Sequence, residues 1–114
     1  MKKETHFNDL IRKVRKDLFG KGPERIQTEF VGNKAITMLY GNLTPTEKFI
    51  CRTPEGKEMV HTARTRMIQE VYSNQVPDGM EALAGSKLVY LFSDIDIDHD
   101  VAVSVFVFED VIPH

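Results

Sequence analysis

The chain has 114 residues, 41% hydrophobic and 28% charged, with a formal net charge of −2. That suffices for one compact domain, 1–114, with its own core, and it excludes a disordered polyelectrolyte or a small scaffold dependent on disulfides. The lone cysteine, Cys51, cannot close an intramolecular bridge, and no run approaches the ~20 apolar residues of a membrane span.

Charge is unevenly spread. Residues 1–25 carry eight Lys or Arg against four acids, whereas residues 88–114 carry six acids and no Lys or Arg. The N-terminus is charged throughout, with no apolar core of a signal peptide, so a reducing, cytoplasmic location is expected.

In chain order, Phe7, Leu10, Ile11, Val14 and Leu18 recur at helical spacing. They predict an amphipathic helix over 4–19 with a basic outer face, stopped by Gly20-Lys21-Gly22-Pro23. Those basic residues alternate with Asp9 and Asp17 without interleaved aromatics, so they read as a solvated face rather than a nucleic-acid surface. Arg25–Val31 and Lys34–Tyr40 read as strands around a Gly32-Asn33 hairpin turn. Thr44-Pro45-Thr46-Glu47 is a capping box with proline at the first helical position. It opens a short helix, and Thr53-Pro54 starts a longer one, about 54–73, whose inward stripe is expected to be Val60, Ala63, Met67, Ile68 and Val71. Pro77-Asp78-Gly79 marks a turn, Met80–Ala84 a last helical turn, and Gly85 its stop.

The last stretch organises the rest. Leu88–Phe92 and Val101–Phe108 are apolar strands flanking an acidic bridge, Asp94–Asp100. The predicted fold class is therefore α+β: a two-layer sandwich whose four-stranded antiparallel sheet joins two hairpins, in the order α-β-β-α-α-β-β. With helices on the valine side of Val101–Phe108, the aromatic side chains Tyr90, Phe92, Phe106 and Phe108 would share the other face. That face would call for self-association as a homodimer, or for the first helix to cross over and seal it.

The chemistry-bearing residues are few. The acidic bridge starts like a calcium loop at Asp94, Asp96 and Asp98, but has His99 where glycine belongs and Val105 where the bidentate glutamate belongs, so no metal is expected. Cys51, beside Phe49 and Ile50, reads as a small core residue. Gly20-Lys21-Gly22-Pro23 follows a helix and precedes a strand, the reverse of a phosphate loop. His61 and His99 form no recognisable catalytic set, so no enzyme activity and no cofactor are expected. Arg64, beside the long helix's apolar stripe, needs a carboxylate, and Asp94 is the expected mate.

Taken in order, Gly20-Lys21-Gly22-Pro23, Gly41-Asn42-Leu43-Thr44-Pro45-Thr46-Glu47, Arg64, Ala84-Gly85, Ser93-Asp94 and Val101–Phe108 resemble a bacterial family of small proteins. It is termed MpsC-like, after a sodium-translocating, membrane-potential-generating system. The resemblance runs over nearly the whole chain. It implies a non-enzymatic accessory or regulatory protein serving a membrane system that moves sodium or supports bicarbonate uptake, with a membrane protein as partner. It also implies a more continuous helix through Ser73–Gly79. On this resemblance Gly20, Gly22, Pro23, Thr44, Glu47, Arg64, Ser93 and Asp94 are the candidate partner-binding or structural-motif residues. The alternative reading is a small-ligand or nucleic-acid sensor using the basic first helix.

Overall fold

Gly32-Asn33 closes a two-residue turn in the computed structural model, which describes residues 2–113; Val31 pairs with Lys34 and Gly32 takes φ +61°. Met1 and His114, the ends of the expected domain, lie outside the described residues. The hairpin consists of β1 (Arg25–Val31) and β2 (Lys34–Tyr40), and the second hairpin of β3 (Leu88–Asp96) and β4 (Val101–Phe108). They join through β2 and β4 into one antiparallel sheet of order β1-β2-β4-β3. The helices are α1 (Lys2–Phe19), α2 (Pro45–Ile50), α3 (Pro54–Asn74) and α4 (Met80–Ala84), which completes the expected α+β order.

Local signals set the helix ends. Gly20 adopts φ +81° and its amide bonds back to the Lys16 carbonyl at 2.8 Å, the left-handed stop that a glycine suits. The Thr44 hydroxyl accepts from the Glu47 amide while Glu47 accepts from the Thr44 amide, so the capping box forms in full. α3 ends at Asn74, and Pro77-Asp78-Gly79 separates it from α4. The turn residues thus prevail over the continuous helix that the resemblance implied.

α1 packs over β1 and α3 over β3, both on the same side of the sheet. Their side chains meet above β4. Phe7 makes edge contacts with Phe30, Phe106 and Phe108 at centroid distances of 5.5, 5.4 and 6.4 Å, and Tyr72 meets Phe106 at 5.5 Å. The face of β4 they cover is Ala102, Ser104, Phe106 and Phe108, all buried.

This reverses the expected assignment of faces. Asp96 pairs with Val101 across a four-residue turn, so even positions of β3 share a side with odd positions of β4. Phe92 is therefore beside Val105 and Tyr90 beside Val107, while Phe106 lies beside Leu91 on the helix side. Alternation along each strand cannot supply this parity; the turn length does. The helices seal Phe106 and Phe108, as the crossing of the first helix would require, and leave the valines, Tyr90 and Phe92 on the outer face.

Three further expectations shift. The buried stripe of α3 is Val60, Arg64, Ile68 and Tyr72, with Ala63 and Met67 exposed and Val71 half-buried. Arg15 of α1 is buried rather than part of the basic outer face, because it continues the Phe7, Ile11 spacing inward. β3 runs on to Asp96, so the acidic loop shrinks to residues 97–100.

Candidate functional site

The loop between β2 and α2 gathers most of the candidate residues. Gly41 turns the chain at φ +68°, where an added Cβ would lie 2.6 Å from the Glu24 side chain. Asn42 follows, buried, donating from Nδ2 to the Leu39 carbonyl at 2.9 Å. Its amide and that of Leu43 donate to the Asp100 carboxylate at 2.8 and 3.1 Å. Asp100 itself takes φ +53°, a left-handed conformation aspartate tolerates better than most residues. Lys21 donates to the Leu43 carbonyl at 3.2 Å, which ties the Gly20–Pro23 corner to the same loop. Gly22 lets this corner press on α1, since a Cβ there would sit 3.1 Å from the Arg12 side chain. Pro23 is buried behind it.

Arg64 closes the arrangement from α3. Its Nε and Nη2 donate to Glu47 Oε2 and Oε1 at 2.8 and 2.7 Å, and Nη2 also donates to the Asn42 carbonyl at 2.8 Å. The guanidinium lies 4.0 Å over the Phe19 ring. Its mate is thus Glu47 and not Asp94: α2 folds back along α3 and brings the capping carboxylate to the arginine before the sheet edge can. Burial raises the Glu47 carboxyl, but hydrogen bonds from Arg64 and the Thr44 amide outweigh it and hold the group below its ordinary range. Among the described residues, the polar groups named here are satisfied by another part of the fold, apart from Asn42 Oδ1, which is buried with no hydrogen-bond partner among them. The site is a clamp that fixes a loop.

Ser93 and Asp94 lie elsewhere, on β3. The Ser93 hydroxyl donates to the Val103 carbonyl at 3.2 Å and lies 3.0 Å from Ser104 Oγ, which in turn accepts from Arg15 Nη2 at 3.1 Å. Asp94 meets His61 Nε2 at 2.6 Å, and that bond, with the Ile95 amide, holds its carboxyl below the usual range. The acidic run is divided among partners: Asp96 bonds His99, Asp98 pairs with Lys57 at 2.7 Å, and Asp100 caps the loop. Among the described residues no group of three or more His, Cys, Asp or Glu is placed to hold a metal ion. Cys51 is half-buried against the core, and burial raises its thiol, the wrong direction for a nucleophile.

Arg15 escaped the sequence reading, although Phe7, Ile11 and Arg15 stand at i, i+4, i+8. Burial lowers its pKa to about 10, and among the described residues no carboxylate pairs with it. A buried guanidinium without a counter-charge weakens a fold. Arg15→Met, similar in length and apolar, is therefore expected to raise stability by about 1–2 kcal/mol in urea denaturation. A loss of stability would contradict this reading of Arg15.

The outer face of the sheet is built in rows. Arg25, Tyr40, Val101 and Asp96 form one row across the four strands; Gln27, Met38, Val103 and Asp94 the next. Glu29, Ile36, Val105 and Phe92 follow, then Val31, Lys34, Val107 and Tyr90. Tyr90 and Phe92 are 60% and 61% exposed and stack on each other at 6.2 Å. This is the one broad apolar surface that the described elements leave without a layer over it.

Comparison with known proteins bears out the family resemblance. The chain is 66% identical over 110 residues, 96% of this chain and 90% of the relative, to "Uncharacterized protein YrhF" of Bacillus subtilis (strain 168). It is 24% identical over 103 residues, 90% of this chain and 82% of the relative, to "Uncharacterized protein YbcI" of the same organism. No solved structure matches significantly. The family described as "Na+-translocating membrane potential-generating system (MpsC)" matches residues 1–110, and the chain belongs to that family.

Proposed function

We propose that this chain is a non-enzymatic accessory or regulatory protein of a sodium-translocating, membrane-potential-generating system, acting from the cytoplasm as a self-associated protein beside a membrane partner. The family description supports the link to that system. No helix among the described residues is long and apolar enough to cross a membrane, so the ion path is assigned to the partner and the regulatory contact to this chain. The observation that carries the reading is the outer sheet face, an ordered apolar surface with charges only at its rim, which suits association. The polar groups that could serve chemistry are spent on one another, Glu47 on Arg64 and Asp94 on His61. The lone Cys51 suits a reducing cytoplasm.

The sensor reading loses ground on α1. Arg15 is buried and Arg12 is paired with Asp9, which leaves a thinner basic face than the sequence suggests.

Tagged and isolated from its own cells in mild detergent, the protein is expected to bring with it an integral membrane protein belonging to a sodium-moving system. Isolation without any membrane protein, but with retention on nucleic acid that weakens as salt rises, would overturn the proposal and favour the sensor.

A further inference from the structure

We propose that the outer sheet face is covered by a second copy of this chain, related by a two-fold axis that lies between the two sheets and runs along the strands. This rests on the self-association part of the function proposed above and specifies its geometry.

Charge selects the axis. A sheet stacked face to face on its copy has two simple dyads, one along the strands and one across them. The dyad along the strands reverses the order of strands but keeps each row at its own level. Arg25, at one end of the first row, then stands over Asp96 of the partner subunit, at the other end of that row, and the contact occurs twice. Gln27 stands over Asp94 of the partner subunit, Glu29 over Phe92 of the partner subunit and Val31 over Tyr90 of the partner subunit, while the valines of β4 stand over Tyr40, Met38, Ile36 and Lys34 of the partner subunit. The dyad across the strands keeps strand over strand and reverses the rows. It would set Asp96 over Tyr90 of the partner subunit and Asp94 over Phe92 of the partner subunit, two carboxylates facing aromatic rings where the first arrangement has one, Glu29, and it would leave Arg25 over Val31 of the partner subunit with no carboxylate opposite.

Reach and area agree with the first arrangement. Packed sheets lie ~10 Å apart, a gap that an arginine and an aspartate side chain together can span. Arg25 already leans over the face, its guanidinium 4.2 Å above the Tyr40 ring. Strands ~4.8 Å apart and ~3.3 Å per residue give a projected face of roughly 450 Å² per copy. Counted on both copies, and with side-chain relief added, this falls near the lower end of specific interfaces, so the dimer is expected to depend on concentration. A two-fold contact covers the face once on each side and leaves no open end for further assembly.

Sedimentation of the full chain over a wide concentration range is expected to show monomer passing to dimer and no larger species. Arg25→Asp and Asp96→Arg should each weaken self-association at least tenfold, since each places like charges opposite one another. Mixed in equal amounts, the two variants should regain dimerisation, because both contacts between positions 25 and 96 in the mixed dimer are again of opposite sign. A wild type that stays monomeric throughout would overturn both the geometry and self-association. A dimer indifferent to Arg25→Asp, or a mixture no tighter than its components, would overturn the geometry and leave self-association standing. Should Asp96→Arg not fold, because Asp96 also holds His99, Val105→Asp at the centre of the face replaces it: it should abolish the dimer while circular dichroism shows the fold retained, and a dimer that persists would refute the proposal.

Discussion

Glu47→Ala is expected to destabilise the protein by about 3–5 kcal/mol, the cost of leaving a buried charge without its partner. Arg64 is 3% exposed and Glu47 19%, so the arginine bears most of that penalty. The substitution also removes the capping-box acceptor of the Thr44 amide. Glu47→Gln keeps the cap and an acceptor for Arg64 but not the charge, and is expected to cost about 2 kcal/mol, in the range of hydrogen bonds to charged groups. The pH dependence follows from the lowered Glu47 pKa. A carboxyl held below its ordinary value of 4.5 stabilises the fold fully above that value, and the contribution fades as pH falls through the lowered one. Urea denaturation at neutral pH and near pH 3 should therefore show a gap between wild type and Glu47→Gln that narrows in acid. A gap of constant size would mean that charge is not what Glu47 contributes.

Gly56→Ala should destabilise by about 3 kcal/mol or more, as overpacking against an immovable neighbour does. Helix propensity alone says the opposite, since alanine gains about 1 kcal/mol over glycine inside a helix. The difference lies in what surrounds the position. Gly56 is in the first turn of α3, its amide bonded to the Thr53 hydroxyl at 3.0 Å, and an added Cβ would lie 1.7 Å from the Ile50 carbonyl oxygen. That oxygen is backbone at the end of α2, so relief requires the two helices to part and the Glu47–Arg64 contact to shift with them. A thermal or urea midpoint for Gly56→Ala equal to wild type, or above it, would show that α2 and α3 do not press together here.

What the sequence made legible was local. The Gly32-Asn33 turn, the Thr44–Glu47 capping box, the Gly20 stop and the Pro77-Asp78-Gly79 break each depend on a few adjacent residues, and each appears where those residues stand. The candidate site was legible in part: Glu47 and Arg64 stand out separately, one as a cap and one as an arginine beside an apolar stripe in want of a carboxylate. Their union depends on α2 folding back on α3, which no spacing announces. Asn42 and Asp100, which complete the clamp, meet across 58 residues of chain and carry no pattern of their own. The faces of β4 were the hardest case, because both are apolar. Only the four-residue turn decides whether Phe92 stands beside Phe106 or beside Val105, and it decides for the valine.

That choice gives the protein a valine face, and the solvent exposure of its methyl groups tests most directly whether a second copy covers it. With a soluble paramagnetic agent in the buffer, the methyl resonances of Val103 and Val105 should broaden strongly at low protein concentration. They should be protected at high concentration and exposed again in Arg25→Asp, while those of the helix-covered Ala102 stay protected in every sample. Broadening of Val103 and Val105 that is the same at all concentrations would contradict a sheet face closed by its own copy.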